Sequence, residues 1–97
     1  MIEREGDRIV LRGAVTVYEL RRLLGSGIAE IENGAKIVDL GALEQADSSA
    51  IGMFIEWMRV SKRLGRELAF VNPGPGLASL IRLYGLNGVI PVEEAHR

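Results

Sequence analysis

The sequence predicts an α/β fold: one domain on a mixed, mostly parallel sheet of about four or five strands, with about three helices. Three observations carry this expectation. Strand-like and helix-like segments alternate from Gly13 onward, the pattern that parallel strands and their crossover connections require. Glycines close the helix-like segments, at Asn33-Gly34, Gly65 and Gly85. The 97 residues, 47% hydrophobic and 26% charged, suffice for one core and hardly for two, so residues 1–97 read as a single domain.

Taken in order, Ile9-Val10-Leu11 follows the Gly6-Asp7 turn signal and reads as a short buried strand, with Ile2 to Arg4 as its hairpin partner. Gly13 ends that strand. Thr16 is a candidate N-cap for a helix reaching about Glu32, in which Val17, Leu20, Leu24, Ile28 and Ile31 recur at helical spacing. Gly25-Ser26-Gly27 weakens this helix, because each glycine costs about 1 kcal/mol against alanine. Lys36 to Leu40 is the next strand, and a second helix spans about Ser49 to Leu64. Glu67 to Val71 reads as a third buried strand, and the prolines of Asn72-Pro73-Gly74-Pro75-Gly76 end it in a turn. Leu77 to Tyr84 is a short helix with Leu77, Leu80, Ile81 and Tyr84 on one side. Val89-Ile90-Pro91-Val92 is a last edge strand, where a proline is tolerated, and residues 93–97 form a polar, flexible tail.

Composition narrows the function. A formal charge of −1 gives no general attraction to nucleic acid or to an anionic membrane. The absence of cysteine excludes disulfides and thiolate metal sites. The charged start, Met1 to Arg8, lacks the apolar core of a signal peptide, and no apolar run approaches the roughly 18 residues that span a bilayer. The expectation is a protein without direct membrane insertion, held at a membrane, if at all, by another subunit. No catalytic set stands out. His96 is the only histidine and falls in the tail, so no base is positioned for a nucleophilic triad. Asp39, Glu44 and Asp47 have no metal-ligand spacing and read as solvated or capping carboxylates. Gly74-Pro75-Gly76 lacks the phosphate-loop pattern, and its prolines remove donors that such a loop needs. Neither a cofactor nor a metal is implied.

The most informative stretch is Asp47-Ser48-Ser49, at the start of the second helix. Asp and Ser cap helix N-termini by accepting from orphan N–H groups, and a hydroxyl there also faces partners. The helix that follows carries two apolar stripes. Ile51, Phe54, Ile55 and Met58 form the one expected to face the core. Met53, Trp57 and Val60 fall on the other side, in line with Ser49, and read as an exposed docking surface. On that reading, serine at Trp57 leaves the melting temperature nearly unchanged and abolishes a complex. Leu23 and Leu24 cannot both point into a one-sided core, so Leu24 is expected to flank the docking surface together with Tyr18.

The segments Ile37-Val38-Asp39-Leu40 and Ala46-Asp47-Ser48-Ser49-Ala50-Ile51-Gly52 resemble the STAS domain family, the fold of anti-sigma factor antagonists and of sulphate-transporter cytoplasmic tails. The resemblance spans nearly the whole chain. One departure is Ala50, where the family has glycine. Ser61-Lys62-Arg63-Leu64-Gly65, Leu80-Ile81-Arg82-Leu83-Tyr84-Gly85-Leu86 and Val89-Ile90-Pro91 are similar to the MlaB branch, the STAS subunits of Mla-type phospholipid ABC transporters. The resemblance implies a cytoplasmic, non-catalytic subunit, held at the inner membrane through partner subunits, that docks on the transporter's ATPase, beside its permease, and supports assembly or activity. It places Ser48 in that interface, as a phosphoacceptor or a partner contact, with Asp47, Ser49, Met53, Trp57, Val60, Tyr18 and Leu24 around it. A second implication is an anti-sigma factor antagonist that switches between an anti-sigma factor and a serine kinase. A nucleotide- or lipid-binding module ranks third.

Overall fold

A computed structural model describes residues 1–86, 90, 92 and 93. The chain opens with β1 (Ile2–Glu5) and β2 (Arg8–Leu11), an antiparallel hairpin in which Ile2 faces Leu11 and Glu5 faces Arg8. There follow β3 (Gly13–Val15), α1 (Leu20–Glu32), β4 (Ile37–Asp39), β5 (Leu43–Ala46), α2 (Ser48–Arg63), β6 (Ala69–Val71), α3 (Pro75–Leu83) and β7 (Val92–Glu93). The main sheet has the order β1-β2-β4-β6-β7, parallel throughout except for the first pair. This is the α/β architecture that the alternation implies.

The core lies between this sheet and the helices. Ile9, Val38 and Phe70 stand in register on neighbouring strands, and all three are fully buried. Phe54 of α2 packs on Phe70 with ring centroids 5.0 Å apart, and on Trp57 at 6.0 Å. Such side chains each contribute about 1.5–3 kcal/mol on burial.

All three helices stop in the same way. Gly34, Gly65 and Gly85 have φ of 109°, 74° and 70°, and the next residue's N–H reaches back to a carbonyl one turn inside the helix. For α2 that bond runs from Arg66 N to Ser61 O at 3.0 Å. Only glycine enters this left-handed conformation without a Cβ penalty. Pro75 opens α3 at its first turn, where a missing N–H costs nothing.

Three expectations change. Gly13 does not end the β structure but starts β3, which pairs in parallel with β5 as a separate two-stranded sheet. The stretch read as a loop before Asp47 is therefore partly strand. Helix α1 begins at Leu20 rather than after Thr16, so Val17 leaves the apolar row and is exposed. Glycines 25 and 27 lie inside α1 without breaking it. At the C-terminal end, β7 holds Val92 opposite Phe70 and Glu93 opposite Val71, an edge strand that shares only Val92 with the one expected over 89–92 and takes in Glu93, a residue expected in the tail. Residues 87–89, 91 and 94–97, including the rest of the expected tail and His96, lie outside the described residues.

The ends of the strands are locked by Asp39. Its carboxylate accepts from Gly41 N at 2.9 Å, Asn72 Nδ2 at 3.1 Å and Arg8 Nη1 at 2.8 Å. Asn72 takes up a left-handed φ of 61°, which asparagine tolerates better than most residues. Burial pushes the Asp39 carboxyl up, but the bonds from Gly41, Asn72 and Arg8 outweigh it and hold the group below its usual range. A carboxylate whose folded value is depressed stabilises the fold above its unfolded value, and that contribution disappears as pH falls through the folded value. Asp39→Asn is therefore expected to cost about 1.5–3 kcal/mol at pH 7. The gap to the parent protein should begin to close below about pH 4, the ordinary carboxylate range, and vanish only below the depressed folded value. Urea titrations at a series of pH values measure the gap, and a gap independent of pH would remove the ionic part of this account.

Candidate functional site

The site is built where the small β3–β5 sheet brings two loops together. Val15 pairs with Ala46, and Asp47 N donates to Val15 O at 3.2 Å, so the turn after β3 sits beside the start of α2. In that turn Thr16 N and Thr16 Oγ1 donate to one oxygen of Glu19 at 2.9 and 2.6 Å, while Glu19 N donates back to Thr16 O at 3.0 Å. This reciprocal arrangement resembles a capping box placed one turn ahead of α1. The Thr16 hydroxyl, then its N–H, holds the Glu19 carboxyl below the usual range. The two residues enclosed by the turn are pushed outward: Val17 is 61% and Tyr18 91% exposed.

Asp47 is the N-cap of α2. Its side chain accepts from Ser49 N at 3.0 Å and also from the Ser49 hydroxyl. That hydroxyl is the main reason the Asp47 carboxyl lies low, with backbone N–H groups of Ser49 and Val17 adding to it. Capping is thus done by Asp47 and Ser49 together. Ser48, at the first helical position, is exposed, and its hydroxyl makes no hydrogen bond to the described residues. The helix N-terminus favours negative charge at this position, while the neighbouring Asp47 carboxylate opposes it. Ala50 is fully buried, so the family's glycine here is replaced at a point that faces the core, away from any partner.

Val17, Tyr18, Asp47 and Ser48 form an exposed lip, and Ala46, the residue before Asp47, lines a groove of about 490 Å³. Leu40, Leu43 and Ala46 line it from one side, with the exposed polar residues Glu44 and Gln45 at its edge, and Pro75, Leu77 and Leu80 line it from α3. Leu43, Ala46 and Leu80 are only partly buried, so the groove has an apolar floor open to a partner.

Three residues expected at this surface are not there. Met53, Trp57 and Val60 are 2%, 0% and 3% exposed. The physical reason is that α1 lies across that face of α2, so α2 needs two apolar stripes, one for the sheet and one for α1. Trp57 fills a notch at Gly27, where an added Cβ would stand 2.1 Å from the indole, and its Nε1 donates to Leu24 O at 3.1 Å. Of the α1 pair, Leu23 enters the core, while Leu24 is half-buried and supplies that carbonyl. Tyr18 is the flank residue that stands free. Ile51 and Phe54 are buried as expected, but Ile55 and Met58 are only half-buried. Val17 escaped the sequence reading because the β3–β5 pairing that places its turn beside Asp47 has no periodic signal.

Among the described residues, no three His, Cys, Asp or Glu side chains converge in a way that could hold a metal ion. Asp39 is engaged in the strand-end lock and Asp47 in capping, which accounts for two of the three carboxylates weighed from the sequence.

Residues 1–91 match a family model described as Mlab, STAS domain. The chain belongs to the STAS domain family. No curated protein matches it in sequence. Among solved structures, this STAS domain superimposes on unphosphorylated SpoIIAA, an anti-sigma factor antagonist, with a TM-score of 0.71 and 19% identity over 99% of this chain and 88% of the other. A putative anti-sigma factor antagonist from Thermotoga maritima gives a TM-score of 0.80 at 15% identity, over 99% and 86% of the two chains. A chain from the complex of the diguanylate cyclase SiaD with its activator SiaC, from Pseudomonas aeruginosa, gives 0.59 at 17% identity, over 98% and 90%. At these identities the structural matches establish a shared fold.

Proposed function

We propose that this STAS domain is a non-catalytic subunit that docks on the ATPase of an Mla-type ABC transporter and supports its assembly or activity in phospholipid transport. The observation that carries the reading is the exposed lip of Val17, Tyr18, Asp47 and Ser48 beside an apolar groove. A large aromatic side chain left almost wholly in solvent beside a polar helix start has the composition of an interface hot spot. The match of residues 1–91 to the Mlab-named model supports the choice of partner.

On this reading Ser48, Asp47 and Tyr18 touch the partner, while Met53, Trp57 and Val60 hold α2 in place behind them. Co-expression with a candidate ATPase and its permease, followed by pull-down, tests it. Ser48→Glu is expected to weaken the complex about 100-fold or more, since a buried unpaired charge at an interface costs about 3–5 kcal/mol. The variant should melt within a few degrees of the parent, because a carboxylate at the first helical position suits the helix dipole. Unchanged binding by Ser48→Glu and by Tyr18→Ala would rule out this surface.

A second reading is favoured by the free Ser48 hydroxyl: the chain is an anti-sigma factor antagonist whose Ser48 accepts a phosphate from a serine kinase. The two readings separate in the same co-expression with an anti-sigma factor in place of the ATPase.

A further inference from the structure

The C-terminal half of α2 carries a second surface, at the other end of the helix from Ser48. Helix α1 covers the flank bearing Met53, Trp57 and Val60. The opposite flank presents Ile55, Met58, Arg59 and Lys62 at the i, i+3, i+4, i+7 spacing of one helix face. Together with the segment leading into β6, it bounds a groove of about 490 Å³. The floor is apolar: Ile55 and Met58 are packed against the core on one side and line the groove on the other. The rim is basic. Arg59, Lys62 and Arg66 surround it, with Glu67 as the acid that lines it, on a chain whose overall charge is −1. Arg66 is held in place by donating to the Ile31 carbonyl at the end of α1. Arg59 has only a loose contact with Glu56, at 3.8 Å, and its side chain is 68% exposed.

We propose that this groove docks an acidic amphipathic helix from a partner protein, at a site separate from the Ser48 lip. The size falls in the range of about 300–1,000 Å³ that recognises a small number of inserted groups. A concave apolar floor takes the anchor side chains of a helix laid along it. Methionine suits this role because its unbranched side chain repacks around different anchors. The excess of cations around the floor selects acidic neighbours for those anchors and steers their approach. A flat anionic bilayer would engage the same cations but could not reach into the groove between them.

The test is selection from a displayed library of helical peptides on the whole chain, followed by binding measurements with the selected peptides. Peptides that carry two apolar residues three or four apart, flanked by acidic residues, are expected to dominate. They should bind Arg59→Glu/Lys62→Glu at least 10-fold more weakly than the parent, lose affinity with added salt and bind Ser48→Glu unchanged. Circular dichroism confirms that the double variant is folded, and Lys62→Glu alone serves if it is not. The proposal is overturned by selected peptides without net negative charge, by equal binding to the double variant, or by loss of binding in Ser48→Glu. It is also overturned if no peptide is selected, or if vesicles of phosphatidylglycerol sediment the parent but not the double variant and compete with no peptide.

Discussion

Replacing Trp57 with alanine is expected to destabilise the fold by about 3–5 kcal/mol. The indole is fully buried and is the largest side chain in the core, packed between α1 and Phe54. Its removal leaves a cavity that the helices cannot close without moving, and it releases the Leu24 carbonyl from its bond to Nε1. For a domain of this size each kcal/mol shifts Tm by about 4–8 °C, so a fall on the order of 15–30 °C should appear in a thermal melt. This reverses what an exposed docking residue would do. A melt within about 3 °C of the parent would mean that α1 does not cover this face, and the account of the core would have to be redrawn.

The second large effect lies on the facing helix. Gly27→Ala puts a methyl group 2.1 to 2.5 Å from three indole atoms of Trp57, where no side chain can stand. Elsewhere in a helix interior, glycine to alanine stabilises by about 1 kcal/mol. Gly25 supplies the internal control, since nothing lies within 4 Å of a Cβ added there. The expectation is opposite signs two residues apart: Gly25→Ala stabilising by up to about 1 kcal/mol, Gly27→Ala destabilising by about 1–3 kcal/mol. Combining Gly27→Ala with Trp57→Leu should remove much of the clash, giving a coupling energy of about 1 kcal/mol or more in a double-mutant cycle. Equal effects of the two alanines in chemical denaturation would show that the helices are not seated on each other at Gly27.

These two residues also show where the sequence was legible and where it was not. The alternation of strand and helix, the glycine stops and the capping role of Asp47 are local signals, and each is realised at its own position. Whether an apolar stripe meets solvent or another helix is not local. The second stripe of α2 has the same composition under either fate, and its partner lies about thirty residues away, in α1. The cue was present in Gly25-Ser26-Gly27, which reads as weakness in α1 when taken alone. Set against a tryptophan on a helix with too many apolar positions, Gly27 is a notch. The β3–β5 pair escaped for another reason. Strands of three and four residues, one of them carrying Glu44-Gln45, are too short and too polar to alternate. At the site, the Asp47–Ser49 start was readable from residue type, whereas the lip of Val17 and Tyr18 depends on that unseen pairing.

The seating of Trp57 has a practical consequence. It is the chain's only tryptophan, shielded from water and tied to a carbonyl of the opposite helix. Excitation of the indole therefore interrogates a single place, the seam between α1 and α2. A red shift in its emission reports those helices parting. A protein that settles on the far tip of α2, around Ser48 and Tyr18, should leave that emission unmoved. The molecule thus carries its own optical gauge, which separates a loss of binding from a loss of fold in every variant that keeps Trp57.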